Sequence, residues 1–131
     1  MPAAGAQAAR AVVESWLQAF LAADIDAIVS LYAPEATFFG TSGQALVLDP
    51  AGVRAYFGRA LTWARPVRAQ LLQESVKLVV PGVAVVCALD AVAWDDRGST
   101  VTSHGRVTFV LHEDARGWRI AHFHRSSVPA A

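Results

Sequence analysis

Charged side chains are scarce in this chain of 131 residues, and they form no run of one sign. They make up 17% of the residues, below the usual quarter of a globular protein. Lys+Arg and Asp+Glu contribute 11 each, so the formal net charge is zero. Because no long-range field attracts a polyanion, we expect neither a nucleic acid nor an anionic membrane surface as a partner.

Cysteine and long apolar runs are also missing. Cys87 is the only cysteine, which excludes an internal disulfide and a cysteine-based zinc site. The most apolar stretch, residues 78–89, is interrupted by Pro81-Gly82 and is too short to span a bilayer. The opening MPAAGAQAAR lacks the basic segment and apolar run of a secretory signal. We therefore expect a cytoplasmic protein without membrane segments.

Apolar residues, by contrast, make up 54% of the chain. A chain of this length forms one domain with one core. An excess of apolar side chains over the needs of that core is absorbed by a subunit interface or by the wall of an internal cavity. We therefore expect a homo-oligomer, a dimer or larger, and a small-molecule ligand.

The first half of the chain carries helix signals. Apolar residues recur at helical spacing over about residues 6–22. Asp24 has the position of a cap for a short second helix, which Pro34 is expected to end, and a short strand ATFFG follows. Asp49 followed by Pro50 is typical of a third helix start.

After Pro66 the hydrophobic period changes to two. Four strands are predicted, over roughly residues 67–80, 83–94, 99–112 and 118–126, separated by the turn sequences PG, DDRG and EDARG. Helices followed by an antiparallel meander indicate an α+β fold, with the helices packed on one face of a curved antiparallel sheet. A sheet that curls around helices leaves a cavity between the two layers.

Three segments resemble those of a known family. WLQAFLAADIDAIVSLYAPEATFFGT (16–41) resembles the opening of SnoaL-like proteins, AGVRAYFGRAL (51–61) their third helix, and GRVTFVLHEDARGWRIAHFHRSSVP (105–129) their last hairpin. The resemblance implies the cone-shaped nuclear-transport-factor-2-like (cystatin-like) fold, as one domain over residues 1–131. This fold hosts isomerases, cyclases, hydrolases, binding proteins and assembly domains, so it does not fix a function.

The last segment also resembles the association (hub) domain of calcium/calmodulin-dependent protein kinase II, which ends in a similar His-Phe-His-Arg-Ser run. The hub pocket is lined by several arginines. The resemblance places one of them on Arg125 and a second on Arg106. The strand that carries the third has no arginine in this chain.

Asp90 lies in the middle of the apolar strand VVCALDAVAW, where turn and capping roles do not explain it. A buried carboxylate is paired or protonated, because an isolated charge is expensive to bury. One hypothesis makes Asp90 a cavity acid or base that acts with His124, without a cofactor or metal. The alternative is a structural ion pair or a strand face exposed at an edge.

His122 and His124 share one face of the last predicted strand. A metal site needs a third ligand that the sequence does not offer, which leaves a pocket imidazole or a histidine at a sheet interface. Arg125 keeps its charge, so it needs an anion if it is buried; Asp90, another chain's carboxyl terminus and a ligand carboxylate are the candidates. The ligand is therefore expected to be anionic.

Which face of that strand points inward is left open by the pattern. Trp118 and Ile120 favour an inward histidine face, whereas the family resemblance favours Phe123 and Arg125. A bulge near Ala121 would reconcile the two. Three further aromatic residues are candidates for the core or the cavity wall, and hence for ligand contact: Tyr32, Tyr56 and Trp94.

Two function classes remain. The first is a small-molecule pocket protein that binds, or acts by acid–base chemistry on, a polar or carboxylate-bearing substrate. The second is a non-catalytic assembly or ligand-sensing domain, as the hub-like ending implies.

Overall fold

Residues 4–130 are described by the structure, a computed structural model. They form three helices and five strands: α1 (Ala4–Leu21), α2 (Ile25–Ser30), β1 (Tyr32–Phe39), α3 (Pro50–Trp63), β2 (Pro66–Val80), β3 (Val83–Asp96), β4 (Ser99–Asp114) and β5 (Gly117–Ser127). No helix in this range has both the length and the hydropathy that crossing a bilayer requires.

The two predicted helix caps are present. The Asp24 carboxylate accepts a hydrogen bond from the Ala27 amide at 3.0 Å, and the Asp49 carboxylate accepts one from the Gly52 amide at 2.8 Å. Each bond satisfies an amide that the first helical turn leaves without a partner. The prediction that Pro34 ends α2 was wrong: the helix ends at Ser30, and Pro34 lies within β1.

The sheet has the order β1-β5-β4-β3-β2. Strands β2 to β5 form the predicted antiparallel meander, but β1 pairs with β5 in parallel, so the sheet is mixed rather than entirely antiparallel. Because α3 and three strands separate β1 from β5 in sequence, no tight turn forces these two strands to be antiparallel. The α+β class is confirmed.

The core lies between the helices and one face of the sheet, here called the inner face. Phe38, Phe109, Ile28 and Leu111 are among its largest fully buried side chains. The Trp16 ring of α1 stacks on Phe123 of β5, with ring centroids 5.2 Å apart. This packing holds α1 across the middle of the sheet.

A bulge at Ala121 determines which side chains of β5 reach the inner face. Val110 of β4 pairs with His122, whereas Leu111 pairs with Ile120, so Ala121 is left without a partner. The extra residue changes the alternation, and Ile120 and Phe123 are therefore both buried. The bulge near Ala121 that would reconcile the two inward faces suggested by the sequence is therefore present.

Candidate functional site

A cavity of about 540 Å³ lies between α1, α3 and the inner face of the sheet. This volume is within the range of small-molecule sites in proteins. Most of its wall is apolar, and its aromatic and aliphatic lining includes Trp16, Phe57, Leu71, Val107, Phe109 and Phe123. Three lining residues carry charge, namely Arg59, Asp90 and Arg125.

Asp90 and Arg125 form a bidentate ion pair in the cavity wall. Arg125 Nε donates to Asp90 Oδ2 at 2.8 Å, and Arg125 Nη2 donates to Asp90 Oδ1 at 2.7 Å. Two parallel bonds between a guanidinium and a carboxylate are a strong arrangement. Of the partners that the sequence left open for Arg125, the structure therefore shows Asp90.

Arg125 also connects the pair to two other parts of the chain. Its Nη1 donates to Thr41 Oγ1 at 3.1 Å, and its Nη2 approaches the backbone carbonyl oxygen of Ser103 at 3.4 Å. The guanidinium thus links β3, β4 and β5 to the turn that follows β1. Neither Thr41 nor Ser103 was identified from the sequence.

Gly105 provides the space for this guanidinium. It lies in β4 directly opposite Asp90, and a Cβ atom on it would overlap the guanidinium of Arg125. The sequence did carry a signal, because a glycine inside a strand often marks the close approach of another group. That signal was not used.

Tyr56 of α3 fixes the turn at residues 40–43 beside the cavity. Its hydroxyl oxygen accepts a hydrogen bond from the Ser42 amide at 3.3 Å and lies 3.2 Å from Ser42 Oγ. Gly40 passes so close to the Tyr56 ring that a Cβ atom would overlap it. Tyr56 and Arg125 therefore hold neighbouring residues of the same turn.

Two of the predicted aromatic residues line the cavity and one does not. Tyr56 and Trp94 are in its wall, together with Asp90 and Arg125. Tyr32 is instead buried in the core, where its hydroxyl accepts a hydrogen bond from Trp16 Nε1 at 3.1 Å. Burial raises the pKa of Tyr32, so its hydroxyl stays protonated, and the residue is structural in this position.

The remaining predicted site residues lie on the opposite, outer face of the sheet. Because Ala121 is bulged, the side chains of His122 and His124 point to the outer face. Arg106 of β4 is exposed on this face, and its strand neighbour Val107 is buried on the inner face. Asp90 and His124 therefore do not meet in one cavity, which the acid–base hypothesis required. The bulge at Ala121 places His124 on the face of the sheet opposite to Asp90.

The outer face carries a small polar and aromatic cluster around the histidines. His122 Nδ1 lies 2.7 Å from Thr37 Oγ1, and the His124 ring centroid lies 4.9 Å from that of Phe39. Burial lowers the pKa of His122 from its ordinary value of 6.5, and His124 nearby lowers it further. In residues 4–130 no three His, Cys, Asp or Glu side chains are grouped closely enough to hold a metal ion.

The lowered pKa of His122 predicts a pH dependence of stability. The unfolded chain binds a proton at this residue more readily than the folded one, so its contribution is present above about pH 6.5 and is lost as the pH falls below it. We expect the free energy of unfolding to fall less steeply between about pH 7.5 and about pH 5 in His122→Gln than in the wild type. Urea unfolding across this range is the measurement, and equal slopes would contradict the assignment.

Solved structures of similar shape share this architecture at low sequence identity. The S. rosetta CaMKII hub is 26% identical over 98% of this chain and 100% of its own, with a TM-score of 0.77. A ketosteroid isomerase-like protein from Erwinia carotovora atroseptica SCRI1043 is 16% identical over 97% of this chain and 98% of its own, with a TM-score of 0.85. A protein with a cystatin-like fold from Caulobacter vibrioides is 17% identical over 97% of this chain and 92% of its own, with a TM-score of 0.83.

These likenesses confirm the nuclear-transport-factor-2-like, cystatin-like fold that the sequence segments implied. No curated protein sequence matches the chain. The SnoaL-like domain matches residues 9–131, which is nearly the whole sequence. The helices, the strand order and this match agree, and the chain belongs to the SnoaL-like family.

Proposed function

We propose that the protein binds a small molecule with an apolar body in the cavity, and that the Asp90–Arg125 pair contacts a neutral polar group of this ligand. The observation that carries the proposal is a mainly apolar cavity of about 540 Å³ with one buried ion pair in its wall. An apolar pocket with a few fixed polar groups is the usual form of a small-molecule site. The pair has no net charge, so it favours a hydroxyl or carbonyl group over an ion.

This proposal gives Arg125 a different part from the one expected of it. The sequence indicated that Arg125 anchors a ligand carboxylate. Its Nε and Nη2 donors are directed at Asp90, and Nη1 donates to Thr41. A second carboxylate would have to approach Asp90 closely, and like charges at short distance repel each other. Arg125 is therefore better suited to donate a hydrogen bond than to bind an anion.

Binding is also favoured over catalysis by this arrangement. A general base must come within hydrogen-bond reach of the proton that it removes, and a second group must return it. Asp90 lines the cavity, but both of its oxygens accept hydrogen bonds from Arg125, and His124 lies on the other face of the sheet. The comparison with the ketosteroid isomerase-like protein concerns the fold alone.

A pair of alanines on α3 tests whether the cavity is the binding site. Ala60 lines the cavity, whereas Ala55 is exposed on the same helix outside it. The neutral fluorescent probe N-phenylnaphthylamine is expected to bind the wild type and Ala55→Phe equally well. In Ala60→Phe the phenyl ring fills cavity space, so binding should weaken roughly tenfold or more. Equal binding by Ala60→Phe, with an unchanged circular dichroism spectrum, would contradict the proposal.

A second candidate function, assembly, is favoured by the outer face of the sheet. The helices cover only the inner face, and Leu89, on the outer face, has 42% of its surface exposed. Val85 and Val110 face each other across β3 and β4 on the same side and are half-buried. We infer that two chains pair through this face to form at least a homodimer.

A further inference from the structure

Arg59 is an exposed residue of α3 that lines the cavity. Asp90 and Arg125, the other two charged lining residues, neutralise each other. Within residues 4–130 no carboxylate forms an ion pair with Arg59. The cavity therefore carries one uncompensated positive charge, and it is located where the cavity opens to solvent.

The other arginine of α3 shows that this is not a general property of the helix. Arg54 forms an ion pair with Asp26, with Nη1 and Oδ1 at 2.6 Å. Arg59 is five positions after Arg54, which places the two residues about 140° apart around the helix axis. The arginine on the outside of the helix is paired, and the one beside the cavity is not.

Two tryptophans accompany Arg59 at the cavity. Trp63 lies one helical turn after Arg59 on the same side of α3, and it lines the cavity although 89% of its surface is exposed. Trp94 of β3 lines the cavity as well and is half-buried. Indole rings bind flat apolar surfaces well, so a ligand that reaches the opening would cover apolar area that now contacts water.

We propose that Arg59 forms an ion pair with an anionic group of the ligand at the cavity opening, beside Trp63. The ligand class is an amphipathic organic anion with an aromatic or polycyclic body, whose neutral polar group faces the Asp90–Arg125 pair. This inference rests on the proposed function, because it needs the apolar body of the ligand to lie in the cavity. It moves the anion anchor from Arg125 on the sheet to Arg59 on the helix.

The test compares two probes that share an aromatic body and differ in charge. Anilinonaphthalene sulfonate carries an anionic group, and N-phenylnaphthylamine does not. We expect Arg59→Gln to bind the sulfonate about threefold to fivefold more weakly than the wild type, as for a solvent-exposed ion pair, and to bind the neutral probe unchanged. Added salt should weaken binding of the sulfonate to the wild type and have little effect in Arg59→Gln.

Arg54→Gln is the matched control, since it removes the same charge from the other side of the same helix. It should bind both probes like the wild type. If Arg59→Gln also binds the sulfonate like the wild type, or if Arg54→Gln weakens it equally, Arg59 is not the anchor. Failure of Ala60→Phe to weaken the neutral probe would instead remove the proposed function, so the two failures are distinguishable.

Discussion

Replacing Arg125 by methionine is expected to lower the free energy of unfolding by about 3–5 kcal/mol. The Asp90 and Arg125 side chains are 7% and 11% exposed, so the change leaves a carboxylate in the cavity wall without its partner. Methionine retains most of the length of arginine, which limits the loss of packing. The effect should therefore come mainly from the unpaired charge.

A double variant distinguishes the cost of one unpaired buried charge from the effect of losing the whole ion pair. In Asp90→Leu/Arg125→Met no charge remains to be buried, and we expect the free energy of unfolding to recover most of the loss seen in Arg125→Met. Arg106→Met is the control, because Arg106 is exposed on the outer face, and it should change stability by less than about 0.5 kcal/mol. Urea unfolding at one fixed protein concentration measures all three. A loss below about 1 kcal/mol in Arg125→Met would show that Asp90 is not held by this pair.

The catalytic hypothesis for Asp90 predicts a different result for a substitution of this residue. Asparagine keeps the shape of aspartate but is not a base. If Asp90→Asn folds stably, binds N-phenylnaphthylamine and loses turnover of an identified substrate, Asp90 is a catalytic residue. If it is instead destabilised by several kcal/mol with no turnover to lose, the carboxylate is the partner of Arg125.

The second large effect is expected in the oligomeric state. The purified wild type should have at least twice the mass of a single chain in light scattering at micromolar concentration, and Leu89→Asp should have the mass of one chain. Stable homodimer interfaces bury upwards of about 2,000 Å² and resemble a core, so a charge placed within one is strongly unfavourable. Leu89 lies on the outer face and is already 42% exposed, so the monomer itself should remain folded.

Leu46→Asp provides the comparison for this experiment. Leu46 is 49% exposed and lies in the segment between β1 and α3, beside the edge strand β1, which β5 and β4 separate from Leu89 of β3. It should leave the dimer intact. A wild type that is monomeric at micromolar concentration would rule out assembly through the sheet.

Local signals explain why much of the fold could be predicted from the sequence. Asp24 and Asp49 cap helices through atoms three residues away, and the turns of the meander join strands that are adjacent in sequence. The pairing of β1 with β5 joins residues such as Tyr32 and Ile120, and no local pattern specifies it. The overall fold was implied by the family resemblance rather than by hydrophobic periodicity.

The site was predictable in part. Asp90 was identified because it is a charged residue in an otherwise apolar strand, and Arg125 through the hub-like ending of the chain and the fixed charge of its guanidinium. Their partnership could not be derived, because it requires the register of β3, β4 and β5 together. The contact of Thr41 with Arg125 spans most of the chain. The face of His124 was left open by the sequence, because it depends on the one unpaired residue of β5.

The bulge at Ala121 shifts the alternation of side chains along β5 by one residue. The face of every later side chain in β5 depends on that one position. The bulge therefore determines which side chains point to the cavity and which point to the outer face. If Ala121 were paired in a regular ladder, the two imidazoles would point toward the cavity, and Phe123 and Arg125 would point to the outer face. Deleting Ala121 would instead remove the bulge and leave these faces unchanged. The chemistry of the cavity and that of the outer face therefore depend together on whether this one residue is paired.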